Sequence, residues 1–245
     1  MRFFNRYFLP IVGAFLLSAC AGGPLKNNQA EHYQEDILLK ANNHSGLIAL
    51  YRNQLKHKED PQVRLKLAQY YYQVGDYQTS LNTLLALNNK TDRQIALLRA
   101  KNAIALENYA QALQVTDAMM LREPNDAEAW NLRGIALALS GKREEGQRAI
   151  EYARALFIAD EIALNNLAAI AMLDQRYQHV VELLLPQYLY GKKQTRLLHN
   201  LVLSLVKVGD RRSARNIIES ENLSDRPDAL IDALAQVAPD VKEKV

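Results

Sequence analysis

The chain has 245 residues, 49% of them hydrophobic, with 30 Lys and Arg against 27 Asp and Glu. That near balance excludes a strongly basic body, so the small positive excess is no sign of nucleic-acid binding. A single cysteine excludes an intramolecular disulfide, and His32, His44, His57, His179 and His199 are too scattered to give metal-ligand spacing.

Residues Met1–Ala19 read as an export signal. Arg2 and Arg6 precede the apolar run Phe8–Leu17, which Pro10 interrupts and which is too short to span a bilayer comfortably. The run closes on Leu17-Ser18-Ala19-Cys20, which resembles the lipobox of bacterial lipoproteins, whose cysteine is lipidated and becomes the first mature residue. The other reading is an ordinary signal peptide with an accidental cysteine. Lipidation at Cys20 is favoured because the chain's sole cysteine stands where the cleavage pattern needs it. Cleavage brings Lys and Arg from 30 to 28 against 27 acidic residues, a nearly neutral mature body. Residues 20–28 form a lipidated tether, and the eight after the cysteine reach about 26 Å at most. Ala21, in place of an Asp after the cysteine, implies passage to the outer membrane.

From residue 29 to 245 the pattern is one all-α domain. Gln29–Ala41 and Ser45–His57 read as an amphipathic helix pair, a degenerate leading repeat with His44 and Tyr51 near repeat-like positions. Then Asp92-Arg93, Asp126-Ala127, Asp160-Glu161 and Gln194-Thr195 recur at a 34-residue step, and Asp60-Pro61 opens a slightly shorter block. That is the period of the tetratricopeptide repeat, a helix–turn–helix unit that stacks into an α-solenoid. Five clear repeats begin at Pro61, Arg93, Ala127, Glu161 and Thr195. The Asp before four of them is placed to cap a helix. Small residues stand where paired helices approach: Ala68, Ala100, Gly134 and Ala168, with Val202 bulkier, and later Ser80, Ala112, Gly146 and Ala214, with Val180 the exception. Pro186 falls inside the second helix of the fourth clear repeat and predicts a kink or an early end there, followed by a loop holding Tyr188 and Tyr190. Asp228–Val237 reads as a final helix covering the exposed end of the array.

No catalytic constellation is present in the sequence, so no enzyme, cofactor, metal or small-molecule substrate is expected. There is no His-Glu-x-x-His pair and no Gly-x-Ser-x-Gly elbow. Gly141–Gly146 begins like a phosphate loop, but Gln147-Arg148 stand where Lys-Ser/Thr are required. Arg211, Arg212 and Arg215 read as a solvated face.

A partner-binding groove is expected on the face made by the first helices of the repeats. The fifth and sixth positions give Leu97, Leu98, Asn131, Leu132, Asn165, Asn166, His199 and Asn200, with Ile135, Leu139, Met172, Leu203 and Val206 on an apolar floor. Amides carry both donor and acceptor, so they suit the backbone of an extended segment; equally, they can tie adjacent repeats together. The apolar floor suits an amphipathic partner. The electropositive clamp with which some such repeats grip chaperone C-termini is not assembled.

Ala129–Gly141, Ala163–Ala168 and Leu197–Asp210, together with Cys20, resemble the TadD family, the tetratricopeptide lipoproteins of the tight adherence (Flp) pilus assembly system. The resemblance covers Cys20 and roughly Pro61–Ile218. It implies a non-enzymatic factor, lipid-anchored to the outer membrane on its periplasmic face. Its partners would be proteins, the pilus secretin and other assembly components, with no nucleic acid. Departures at Val180, Arg143 and Arg211 weaken any transfer of groove contacts. Two other readings stay open: a type IV pilus pilotin, and an adaptor that docks cell-wall hydrolases at the membrane.

Overall fold

The computed structural model describes residues 27–87 and 92–237, and every regular element among them is a helix. The signal segment, Cys20 and the tether up to Lys26 lie outside the described residues. In chain order the helices are α1 (Asn27–Lys40), α2 (His44–His57), α3 (Pro61–Gln73), α4 (Tyr77–Leu85), α5 (Arg93–Ala105) and α6 (Tyr109–Met120). They continue as α7 (Ala127–Leu139), α8 (Arg143–Ala155), α9 (Asp160–Leu173), α10 (Tyr177–Leu189), α11 (Thr195–Lys207), α12 (Arg211–Ser220) and α13 (Pro227–Gln236). The leading pair, the five clear repeats and the final helix therefore all form, and α1 begins at Asn27, inside the segment expected to be tether.

Capping explains where the helices start. The Asp60 carboxylate accepts the Gln62 and Val63 amides, and Pro61 sits first in α3, where a missing N–H leaves nothing unpaired. Asp92 caps α5 and Asp126 caps α7 in the same way. The expected fourth cap fails. Asp160 is already the first residue of α9, Ala159 takes the cap position, and the Asp160 carboxylate turns to Arg154 at 2.6 Å. An acidic first turn still favours the helix dipole there. The second helices of the repeats are capped by Asp76, Asn108 and Asp210, whereas Lys142 and Arg176 stand at the corresponding positions of α8 and α10 without a side-chain cap.

The early end expected at Pro186 does not occur. Helix α10 runs through Pro186 to Leu189 and is 13 residues long, the same length as α8. Pro186 lies in its last turn and is exposed. Loss of one amide donor there leaves only the Glu182 carbonyl without its helical partner, and water can replace it.

Small residues at the predicted positions are buried at the crossings of paired helices. The tightest crossing joins α7 and α8, where Gly134 and Gly146 face each other. Beyond pairing, each odd-numbered helix from α3 to α11 packs with its backbone close to the next odd-numbered helix. The backbones of the even-numbered helices stand further apart, α10 reaching α12 through side chains, with Tyr188 Oη and Ser220 Oγ 3.1 Å apart. The odd layer is thus closely spaced and the even layer splayed, so the array curves toward the odd helices. Faces of odd helices turned away from their even partners form its inner surface. The largest core cluster fills the C-terminal half, joining Leu164, Leu167, Leu184, Leu201 and Leu205 with Ile231 of α13, so the final helix covers the end of the array.

Candidate partner-binding face

The inner surface is built from one stripe per odd helix. On α9, Ile162, Asn165, Asn166, Ala169 and Leu173 share the face turned from α8 and α10, while Ala163, Leu164, Leu167 and Ala168 point into the core. On α7 the equivalent stripe is Glu128, Asn131, Ile135 and Leu139, and on α11 it is Arg196, Asn200, Leu203 and Lys207.

The amides divide. Asn166 Nδ2 on α9 donates to Asn131 Oδ1 on α7 at 2.8 Å, tying two repeats together. Asn131 is only 6% exposed. Asn165 folds back on its own helix, donating to the Glu161 carbonyl at 2.8 Å, and its buried Oδ1 has no protein partner. His199 is exposed and Asn200 half-buried on α11. Leu97, Leu98, Leu132 and Val206 are core residues. Ile135 and Met172 are half-buried and pack on the core clusters, and Leu203 is half-buried as well.

On the two middle helices, α7 and α9, apolar side chains remain open to solvent at both ends of the face: Ile162 in the first turn of α9, and Leu139 and Leu173 as the last residues of α7 and α9. Leu139, Ile162 and Leu173 are 40–47% exposed. Polar groups flank them. Lys101 on α5 reaches Glu128 on α7 at 3.5 Å, and Arg93 grips both Asp126 (2.7 and 3.0 Å) and Glu128 (3.0 Å). Burial pushes the Asp126 carboxyl up, but the Arg93 hydrogen bonds, the Ala129 amide and the Arg93 charge outweigh it and hold it below the ordinary carboxylate range. At the far end, burial and Tyr77 raise the phenol of Tyr72 on α3, and the positive charge of Arg196 on α11 acts against them.

No family model matches the sequence, and no curated protein matches it. Its structure is similar to that of a thermophilic tetratricopeptide-repeat protein from Thermus thermophilus, with a TM-score of 0.62 at 20% identity over 73% of this chain and 98% of that one. It is similar to a tetratricopeptide-repeat protein from Parabacteroides merdae, with a TM-score of 0.60 at 13% identity over 84% and 83% of the two chains. A third likeness is to the Cut9–Hcn1 hetero-tetramer of the APC/C, with a TM-score of 0.54 at 15% identity over 84% of this chain and 42% of that one.

The fold is a tetratricopeptide-repeat solenoid.

Several features of this solenoid escape the sequence pattern. Ile162 and Leu173 belong to the exposed stripe, and their signal was available: they stand at the second and thirteenth positions of the block, the thirteenth being one period from Leu139. A second tie between repeats is buried at α4–α5, where Asn102 Nδ2 donates to Ser80 Oγ at 2.9 Å and Ser80 in turn donates to the Ala68 carbonyl of α3 at 2.7 Å. Ser80 reads in sequence only as a small residue at a crossing. Tyr188, expected in a loop, lies in α10, and its hydroxyl donates to Glu221 at 3.0 Å. No group of His, Cys, Asp and Glu suited to a metal ion occurs among the described residues.

Proposed function

We propose that this chain is a non-enzymatic scaffold, anchored by lipid at Cys20 to the periplasmic face of the outer membrane, whose inner face captures an amphipathic protein segment. The observation that carries this reading is the set of exposed apolar side chains on the two middle helices of the inner face, Ile162 at one end and Leu139 and Leu173 at the other, with Lys101–Glu128 on one side and Arg196 on the other. A helix with an apolar stripe laid along α7 and α9 would bury these side chains and meet charges at its margins. With the motifs at Ala129–Gly141, Ala163–Ala168 and Leu197–Asp210, the partner is the secretin of a tight adherence pilus, and the role is to help the ring assemble. A tether raises the local concentration of a membrane partner, so a weak contact suffices.

The test has two arms. A photoreactive amino acid at Leu173 should cross-link to the secretin in cells, and the same group at exposed Arg148 on α8 should not. Deleting the gene should reduce secretin multimers and abolish surface pili while pilin synthesis continues. Normal secretin rings in the deletion strain would instead support the cell-wall adaptor.

A further inference from the structure

One edge of the array bears a row of uncovered apolar side chains. Leu85 ends α4, Leu121 follows α6, Phe157 follows α8, and Leu189 ends α10 with Tyr190 just after it. All five are 66–95% exposed. Each belongs to a turn that joins one repeat to the next, so consecutive turns along a single rim contribute one rung apiece. With adjacent inner helices about 9 Å apart, the rungs are close enough to act together. The opposite rim differs: its apolar residues Val74, Leu106 and Val208 are 38–45% exposed. Phe157 stands out further. It adopts a left-handed backbone at φ 65°, and among the described residues the other non-glycine residues that do so are Asn42, Glu107, Gln175 and Asn222. A phenylalanine that is both strained there and 95% exposed gains nothing from the fold itself.

Topology says what faces this rim. The helices alternate in direction, so the turns between repeats lie at the N-terminal ends of the odd helices. Helix α1 is odd, and its first residue, Asn27, is on that same rim. The chain toward Cys20 therefore leaves from the edge that carries the row, and the six intervening residues, Ala21–Lys26, can reach no more than about 23 Å.

We infer that this rim lies on the bilayer, with Leu121, Phe157, Leu189 and Tyr190 set into the headgroup region. The inference rests on the anchoring reading above. Aliphatic and aromatic side chains on turns gain by entering the interface, where tyrosine keeps its hydroxyl wet. Part of the charge on the rim is paired within it: Arg154 with Asp160, Lys192 with Glu161 and Lys193 with Glu221. The apolar row leads the contact, and its salt dependence distinguishes it from an attraction to anionic lipid. The contact stands the helices upright on the bilayer, so the inner face opens sideways, along the membrane plane.

The full chain in phosphatidylethanolamine–phosphatidylglycerol vesicles containing brominated lipid tests this, using Phe157→Trp and Val74→Trp with the Trp130 signal of the parent subtracted. Emission from position 157 should shift to the blue and be quenched several-fold more than from position 74, equally at low and high salt. Equal or weaker quenching at 157, or quenching that disappears at high salt, overturns the inference. So does a Phe157→Glu chain that is monomeric where the parent is dimeric, because the row would then face a second copy. The mass of the N-terminal peptide from the same sample reports Cys20 separately. An unmodified cysteine sinks the lipid anchor whatever position 157 shows, and a modified cysteine with an unquenched 157 sinks only the rim.

Discussion

Gly134 on α7 and Gly146 on α8 face each other so closely that a methyl group on either would meet the other's carbonyl oxygen, at 2.8 Å from position 134 and 2.6 Å from position 146. Alanine in an exposed helix normally gains up to about 1 kcal/mol over glycine. Here the added carbon strikes backbone, and from position 134 also Ile150 Cγ1 at 2.5 Å. Gly134→Ala and Gly146→Ala are each expected to lose about 1–3 kcal/mol of stability despite better helix propensity. Urea denaturation followed by circular dichroism decides it, and an unchanged midpoint would show that the helices separate at little cost.

The bond between Asn131 and Asn166 gives a different expectation from the exposed amides. Asn166→Ala leaves the buried Asn131 oxygen unpaired and should cost about 1–2 kcal/mol. Asn200→Ala, on the half-buried part of α11, should cost much less and act on partner capture if it acts at all. If both variants melt like the parent, the amides do not hold the repeats together.

Asp126 links stability to acidity. Its carboxyl is held below the ordinary range in the folded chain, so its contribution is fully present above the ordinary carboxylate value of about 3.9 and is lost as pH falls through the lower folded value. Asn at this position still caps α7 but cannot pair as an ion with Arg93, whose side chain is half exposed. Asp126→Asn should therefore lose about 1 kcal/mol at neutral pH, a figure already reduced for solvent screening. Its deficit against the parent should vanish on acidification. A deficit independent of pH would mean the ion pair contributes nothing.

Pro186→Ala restores an amide donor to the last turn of α10, which is already helical. The replacement should raise stability by roughly 1 kcal/mol, less than the ~3 kcal/mol of a helix interior because the site is near the end. Destabilisation in thermal melts would instead show that the ring makes contacts the chain needs.

Much of this fold is legible before any coordinates. The 34-residue step, the Asp at 60, 92 and 126 and the small residues at helix crossings fix the pairs because they follow from local chemistry repeated at constant spacing. Asp160 misleads because capping depends on the preceding turn, and there the left-handed Phe157 lets Ala159 take the cap position. Pro186 misleads because a proline's cost depends on how many turns follow it. The inner face is legible as a stripe but not in detail: whether Asn131 points to solvent or to Asn166 is set by the register between two helices 35 residues apart, which no local pattern encodes. The exposed row is invisible for a related reason. Leu121 or Leu189 at the end of an amphipathic helix looks like core until the next repeat is seen to pass it by.

Because the backbones of the odd layer are close-packed and those of the even layer are not, the array is a strip with one stiffer side and one more extensible side. Bending it open or closed changes separations among even helices that meet through side chains, as Tyr188 and Ser220 do between α10 and α12, so curvature is a soft coordinate. The α7–α8 crossing is the exception, a rigid segment at the middle of a pliable spring. A load applied to one end would therefore be passed along by small rotations at many joints, and the width of the inner face would follow the load without any single hinge.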